Sequence, residues 1–510
     1  MSDIRWISLS DLHLGERNSL LSDVRPGTLD VDPLSASPTM KALVDCLCAL
    51  VVNQDSKPNL VLHGDILEFA TAPARRALMV FERFVQLTLV GQDGQDALFD
   101  KVVYVPGNHD HHIWVSARET QYVEALKHCP TGSGFPDDRH TTRAFAGVEP
   151  PVQGYVLTEL VRRFPSLKDA AITTAYPNFG IVRPDGSKAV LWTHGHFIDP
   201  LYRLMSELNT IVFPDSHLPE DVEALEQENY AWIDFFWSTM GQTGAAGAQM
   251  GRIWDRVQDK SWKHEILDNI AKSLAKRFTH TIFGDRIEEQ VFEWLLPLLV
   301  DRLPLERDAE EAVLSQGAQN GLVQYVEGPL RKQVSGERGS MPEEVTLVLG
   351  HTHKPFFCTQ PFKGYPQSPR VYNTGAWSVD GMEPRRLHGA SLVLIDEDLN
   401  DAAVRFYNEG DRPENYRVRV ESAEPRACES LSSDSSAAGG SGAPPESPND
   451  QPAARGGASN PLRQHLLDVV DPDQDPWKSF SRVVRENVQE RLRLKAERQE
   501  RIRRGPADAA

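Results

Sequence analysis

Five short clusters of Asp, Asn and His are the part of this 510-residue sequence best suited to chemistry. They are Ser10-Asp11-Leu12-His13, His63-Gly64-Asp65, Pro106-Gly107-Asn108-His109-Asp110, Thr193-His194-Gly195-His196 and Gly350-His351-Thr352-His353. Imidazole, carboxylate and amide groups together suit borderline divalent cations such as Mn²⁺, Fe²⁺ and Zn²⁺ better than Mg²⁺ or Ca²⁺, which prefer oxygen throughout. The clusters therefore predict a metal site.

Each cluster directly follows an apolar run that is typical of a buried strand. The runs are Ile4 to Leu9, Leu60 to Leu62, Val102 to Val105, Val190 to Trp192 and Val345 to Leu349. Ligands of open α/β sheets bind beyond the carboxyl ends of the strands, so we expect the five clusters to converge. A histidine in a strand is more often structural than a ligand. However, burying so many uncompensated polar groups together is costly, and metal ions would remove that cost.

The elements between these strands indicate a layered α/β fold. Helical patterns at Met40 to Val52 and Arg75 to Leu89 alternate with the strands. A further strand is predicted at Arg370 to Tyr372, followed by a hairpin-like pair at Leu392 to Ile395 and Val404 to Tyr407.

The domain organisation follows from shifts in composition. We assign 1–200 and 344–420 to two parts of one α/β domain, and 201–343 to a helical insertion that is a candidate lid over the site. In one insertion helix, Trp232, Phe235 and Phe236 share one face, and Ile233, Trp237 and Met240 the adjoining face; this helix either lines the site or fills the insertion's own core. Residues 421–460, rich in Ser, Gly, Pro and Ala, predict a disordered linker, and 461–510 a basic helical tail.

Composition restricts the class of partner and the location. The net charge of −19 weighs against a nucleic-acid partner without excluding one. No signal-peptide pattern or membrane-spanning apolar run is found; the longest apolar candidate, around Trp294 to Val300, is far too short. The five cysteines are scattered, which favours a reducing compartment. We therefore expect a cytoplasmic protein.

The C-terminal tail has a charge opposite to that of the rest of the chain. Residues 477–504 carry ten Lys or Arg and four Glu, and Phe480, Val484, Val488 and Leu492 recur every four residues. This cationic helix could dock on an acidic partner or a membrane surface. The alternative, which we favour, is a solvated helix or one that folds back on the acidic body.

The ordered clusters resemble the signature of the calcineurin-like metallophosphoesterases, D-x-H, G-D, G-N-H-[D/E], H and G-H-x-H. The resemblance covers roughly 4–200 and 344–410 and implies a four-layer α/β/β/α sandwich. It implies that one metal ion is bound by Asp11, His13 and His353, the other by Asn108, His194 and His351, and that Asp65 bridges the two.

The resemblance also implies a reaction, in which a hydroxide bridging two metal ions hydrolyses a phosphoester or phosphoanhydride. Manganese is the preferred ion, with iron or zinc as alternatives. His109 would protonate the leaving oxygen, and Asp110 would orient its imidazole. His196, where many relatives carry Asp, is either a structural residue or one facing the ligands or substrate. We interpret His63, His111 and His112 as incidental.

The resemblance leaves more than one function open. The motif Asp11-Leu12-His13-Leu14-Gly15 is similar to that of bacterial UDP-diacylglucosamine hydrolases. This similarity favours a small, lipid-linked or nucleotide-linked substrate. Nucleases of double-strand-break repair share this motif and are the alternative. The negative charge of the body makes a nucleic-acid substrate less favourable. A protein phosphatase is excluded because Asp65 is followed by Ile66-Leu67-Glu68 and not by Asp-Arg-Gly. A non-catalytic scaffold would be expected to have lost ligands, and none is missing.

Overall fold

The computed structural model describes residues 3–52, 54–91, 96–145, 152–213, 215–242, 312–421, 426–427 and 460–504. Almost all of the predicted linker, 421–460, and the middle of the predicted insertion, including the apolar run at 294–300, lie outside the described residues.

The described chain is a mixed α/β structure. Its strands are β1 (Ile4–Leu9), β2 (Ser22–Val24), β3 (Val31–Ala36), β4 (Asn59–His63), β5 (Val102–Val105), β6 (Val152–Gln153), β7 (Thr173–Thr174), β8 (Asn178–Val182), β9 (Lys188–Thr193), β10 (Glu344–Leu349), β11 (Phe356–Thr359), β12 (Arg370–Asn373), β13 (Gly389–Asp396), β14 (Asp401–Asn408), β15 (Arg419–Val420) and β16 (Arg426–Ala427). Its α-helices are α1 (Pro38–Val51), α2 (Ala74–Val85), α3 (His112–Lys127), α4 (Tyr155–Val161), α5 (Leu204–Val212), α6 (Val222–Ile233), α7 (Gln316–Tyr325), α8 (Arg331–Arg338), α9 (Pro461–Val469) and α10 (Trp477–Arg504). The predicted strands and helices are therefore confirmed, with ends shifted by a few residues.

Two large sheets carry the fold. The first has the order β15-β14-β13-β1-β4-β5-β7-β6, in which β1, β4, β5 and β7 are parallel. The second has the order β16-β11-β12-β10-β9-β8, in which β9, β10 and β12 are parallel. The strands that follow the insertion thus divide between the sheets, since β10 joins β9 while β13 pairs with β1.

Alternation along the strands separates three hydrophobic clusters. Val61 and Val190 belong to a cluster with members from both sheets. Leu60, next to Val61, belongs to a second cluster shared with α1, α2, α9 and α10. Leu191, next to Val190, belongs to a third, shared with α6 and α7. Because successive side chains of a strand point to opposite faces, each sheet is apolar on both sides.

The described part of the insertion is helical, as predicted. It contains α5, α6, a π-helical turn at Asp234–Thr239, and α7 and α8. Ile233 and Trp237 are buried, whereas Phe235 and Phe236 are exposed. The two predicted faces of this segment therefore have different environments.

The C-terminal tail folds back on the body. Its predicted helix is α10, and Phe480, Val484 and Val488 are completely buried in the cluster that includes α1 and the first sheet. The favoured alternative, a helix that folds back on the body, is therefore confirmed, because the chain's own core covers this apolar stripe and leaves it unavailable to a partner or membrane. No helix in the described ranges is long and apolar enough to cross a bilayer.

The cysteines are not all reduced, contrary to the expectation from their number and spacing. Cys46, Cys48 and Cys129 are free, but Cys358, in β11, is disulfide-bonded. The cytoplasmic location remains a prediction.

Candidate metal centre

The five predicted clusters meet where strands of the two sheets end. Asp11 and His13 follow β1, Asp65 follows β4, and Asn108 follows β5 in the first sheet. His194 follows β9, and His351 and His353 follow β10 in the second. All seven side chains are buried. Their convergence requires both sheets, because neither sheet carries the complete set.

One group consists of Asp11, His13 and His353, whose ligand atoms lie within 4.8 Å of one another. The Nε2 atoms of His13 and His353 are 3.1 Å apart, and Nε2 of His353 is 3.4 Å from Oδ1 of Asp11. Two imidazoles and a carboxylate at this separation could hold a divalent cation.

A second group surrounds the amide oxygen of Asn108. This Oδ1 lies 3.0 Å from Nε2 of His194 and 3.1 Å from Nδ1 of His351. The amide Nδ2 donates to the hydroxyl of Tyr202 at 3.0 Å. Because the amide nitrogen is bonded to Tyr202, the amide oxygen is the atom presented to the two imidazoles.

The carboxylate of Asp65 lies between the two groups. Its Oδ2 is 3.3 Å from Nε2 of His194 in one group and 4.0 Å from Nε2 of His13 in the other. Burial acts to raise the pKa of Asp65, but the imidazoles of His194 and His109 outweigh burial and hold the pKa well below its usual range. The position and charge of Asp65 fit a bridge between two cations.

Oxygen atoms contact the second ring nitrogen of each histidine in the two groups. Nδ1 of His13 lies 2.9 Å from Glu68, and Nδ1 of His353 lies 2.5 Å from Asp380. Nε2 of His351 lies 3.5 Å from Asp199, and Nδ1 of His194 lies 3.4 Å from the carbonyl of His63. Such partners typically fix the orientation and tautomer of metal-binding imidazoles, so the donor set fits a pair of divalent cations.

Backbone strain is concentrated at the same residues. Six non-glycine residues of the described ranges have positive φ, and five are candidate ligands: Asp11 (51°), His13 (45°), Asp65 (51°), His351 (71°) and His353 (62°). A non-glycine residue in this region costs of order 1–3 kcal/mol and persists where the surroundings enforce it. The chain therefore holds these side chains together against the preference of its own backbone.

Two glycines permit the close packing of the ligand loops. A Cβ on Gly107 would lie 2.3 Å from Oδ1 of Asp65, and a Cβ on Gly350 would lie 2.3 Å from Oδ2 of Asp11. Neither carboxylate can withdraw without leaving its group, so both positions need glycine.

His109 lies beside the centre, but its partner differs from the predicted one. Its Nδ1 is 2.8 Å from Glu68 and its Nε2 is 4.0 Å from Asp65. The prediction that Asp110 orients this imidazole is wrong, because the Asp110 carboxylate instead accepts hydrogen bonds from the amides of Ile66, Leu67 and Gly107 and from the Tyr104 hydroxyl. Asp110 therefore fixes the loops after β4 and β5.

Two further histidines of the predicted clusters, His196 and His63, contact residues outside the two ligand groups. Nε2 of His196 lies 3.1 Å from the Tyr176 hydroxyl, and its ring packs 4.3 Å from that of Phe197. His63 is buried, and burial lowers its pKa to about 3.

His111 and His112 connect the body to the insertion. Nε2 of His111 lies 2.7 Å from Glu226 of α6, and Nδ1 of His112 lies 3.2 Å from Asp234. Burial opposes protonation of His111, but Glu226 and Asp234 outweigh burial and raise its pKa to about 9. Both histidines lie outside the two ligand groups, and they link the body to the insertion next to His109.

Three carboxylates that contact the candidate ligands are not indicated by the cluster pattern: Glu68, Asp199 and Asp380. Glu68 lies three residues after Asp65 and Asp199 five after His194, so proximity to a cluster was a usable signal. Asp380 follows Trp377-Ser378-Val379, which contains no recognisable pattern.

Comparison with known proteins gives no assignment. No protein-family model matches the chain, and no curated protein matches it significantly. Any function must therefore be argued from the residues themselves.

Proposed function

We propose that this chain is a binuclear metallophosphoesterase of the calcineurin-like type, acting on a small, lipid-linked or nucleotide-linked phosphoester or phosphoanhydride. The observation that carries the proposal is the meeting of seven ligand side chains in which every imidazole has an oxygen partner on its second nitrogen. The two sheets and three hydrophobic clusters support the four-layer sandwich that this family implies.

Asp11, His13 and His353 would hold one ion, Asn108, His194 and His351 the other, and Asp65 would contact both. The mixture of nitrogen and oxygen donors favours manganese, with iron or zinc as alternatives. When bound, two such ions polarise a phosphoryl group and lower the pKa of a water molecule towards about 7.

The residues around the ligands position the substrate and move the proton. His109 places a ring nitrogen beside the centre, where it can protonate a leaving oxygen, and Glu68 on its other nitrogen orients the ring. The ring of Trp237 lies 6.3 Å from that of His109 and 5.3 Å from that of Tyr202. In the proposed reaction these aromatic rings would act as an apolar wall on the insertion side, next to the bound substrate.

The decisive experiment removes the metal and returns it. Protein stripped with a chelator should not hydrolyse a phosphomonoester, a phosphodiester or a nucleotide-sugar anhydride, and Mn²⁺ should restore turnover of at least one of them. Metal content by mass spectrometry should reach two ions per chain. Undiminished turnover in exhaustive chelator would contradict the proposal, as would two bound ions with no hydrolysis of any phosphoester.

Trp237 should select among substrates as part of a lid. The Trp237→Ala variant should lower kcat/KM for a nucleotide-sugar anhydride by up to about tenfold, because an aromatic pair contributes roughly 0.5–1.5 kcal/mol. Turnover of p-nitrophenyl phosphate, which is too small to need the wall, should change little. Phe235→Ala is the matched control, since Phe235 is in the same turn but is exposed. Equal losses on both substrates would show that Trp237 does not act in selection.

A further inference from the structure

Lys495 of the C-terminal helix α10 is a buried cation that the reaction described above does not use. Its side chain is almost completely inaccessible, unlike that of the neighbouring Arg493, which is half exposed and pairs with Glu490 and Glu497. A buried ammonium needs compensation, so its contacts indicate its purpose.

The Lys495 ammonium binds three consecutive carbonyls of one loop. Its Nζ donates to the carbonyl oxygens of Val379, Asp380 and Gly381, the last two at 3.2 Å. An ammonium has three donors, and one tripeptide satisfies all of them. The contact is therefore specific for a single backbone conformation of 379–381.

This loop carries the carboxylate that orients a candidate ligand. Oδ2 of Asp380 lies 2.5 Å from Nδ1 of His353, and Oδ1 accepts a hydrogen bond from Ser378 at 2.9 Å. A chain of contacts thus runs from Lys495 through the 379–381 backbone and Asp380 to His353. Burial lowers the pKa of Lys495 to about 8, although Asp380, Glu16 and Glu409 act to raise it.

The same helix also holds the loop that follows Asp11 and His13. Arg491, almost fully buried, donates to the carbonyls of Arg17 and Ser22 at 2.5 and 2.6 Å. Asn487 donates to the carbonyl of Leu20 at 3.2 Å. One helix therefore fixes the backbone beside both segments that supply the first group of ligands.

We propose that α10 is a structural component of the metal centre and that Lys495 is a positioning residue, which sets the geometry of His353 through the 379–381 backbone and Asp380. This inference rests on the proposed metal site but not on the reaction assigned to it. The tail helix then strengthens metal binding at one position, the one held by Asp11, His13 and His353.

The test measures metal affinity and not turnover. Titration of the stripped full-length protein with Mn²⁺, followed by calorimetry and electron paramagnetic resonance, should show one of the two sites weakened about tenfold in Lys495→Met, the low end of the range for partners beyond the ligands. The other site should keep its affinity. Arg493→Met, which removes the same charge from the exposed face of the same helix, should bind both ions normally.

A double-mutant comparison separates positioning from a general loss of stability. Asp380→Asn should weaken the same site, and adding Lys495→Met to it should cause little further loss, since both act through one path. Fully additive losses, or unchanged affinity in Lys495→Met, would overturn the inference. If Lys495→Met does not fold, Lys495→Arg replaces it; a planar guanidinium cannot meet all three carbonyls, so a smaller loss at the same site is expected and normal affinity would contradict the inference.

A failure of the proposed reaction can be distinguished from a failure of the role assigned to Lys495. A wild-type protein that binds two ions but hydrolyses no phosphoester would refute the reaction and leave the role of Lys495 intact. A wild-type protein that binds no divalent cation would refute both.

Discussion

Replacing Asp65 by Ala should abolish hydrolysis and disturb both metal positions. Its carboxylate lies between the two ligand groups, with Oδ2 3.3 Å from His194 and 4.0 Å from His13. Removing several kcal/mol of stabilisation at both ions should slow turnover by roughly 10³-fold or more. Metal content after dialysis should fall below two ions per chain, and kcat at saturating Mn²⁺ should remain low.

Asp398→Asn is a suitable control, because this carboxylate is exposed on the surface. It should retain both ions and full activity. Asp65→Ala should also be compared with the wild-type protein by thermal unfolding in chelator, which reports folding without the contribution of bound ions. Two ions at wild-type affinity in a folded Asp65→Ala protein would show that Asp65 does not bridge them.

Replacing His109 by Ala should separate catalysis from metal binding. The imidazole lies beside Asp65 and Glu68 and is not one of the seven proposed ligands, so both ions should stay bound. Turnover of a substrate with a poor leaving group should fall by about 10²–10⁴-fold, the usual contribution of a positioned proton donor. The loss should be much smaller for p-nitrophenyl phosphate, whose leaving oxygen needs little protonation.

Glu68→Gln gives an intermediate case. Glu68 contacts both His109 and His13, so this variant should lose part of the proton-donor effect and also weaken the ion bound by His13. A His109→Ala protein with equal losses on activated and unactivated substrates would contradict the role of proton donor. Loss of a bound ion from this variant would make His109 a ligand.

The convergence of the candidate ligands could be predicted because each cluster directly follows a strand with a clear apolar pattern. Val102 to Val105 before Asn108 and Val345 to Leu349 before His351 are examples, and both strands form as expected. The carboxyl end of a strand determines where the next residues lie. The local sequence pattern therefore predicts which residues from distant parts of the chain come together.

The partners around the ligands were less predictable, because they depend on tertiary contacts that have no local signal. Adjacency in sequence favours Asp110 as the partner of His109, yet its carboxylate accepts hydrogen bonds from three backbone amides and the Tyr104 hydroxyl. Asp380 reaches His353 from 27 residues away. The four-residue spacing of apolar residues predicts the tail helix. It does not indicate which surface of the protein covers the apolar stripe.

The division of the ligands between two distant parts of the chain has a consequence for the order of assembly. His13 and His353 are separated by 340 residues and come together only when the two sheets that carry them meet. A nascent chain that ends before residue 351 already carries Asp11, Asp65, Asn108 and His194 but lacks a proposed ligand of each ion. Contacts so distant in sequence form late, after the local elements. Capture of both ions would thus mark the end of folding, and partial chains released during synthesis would remain poor competitors for the metal supply of the cell.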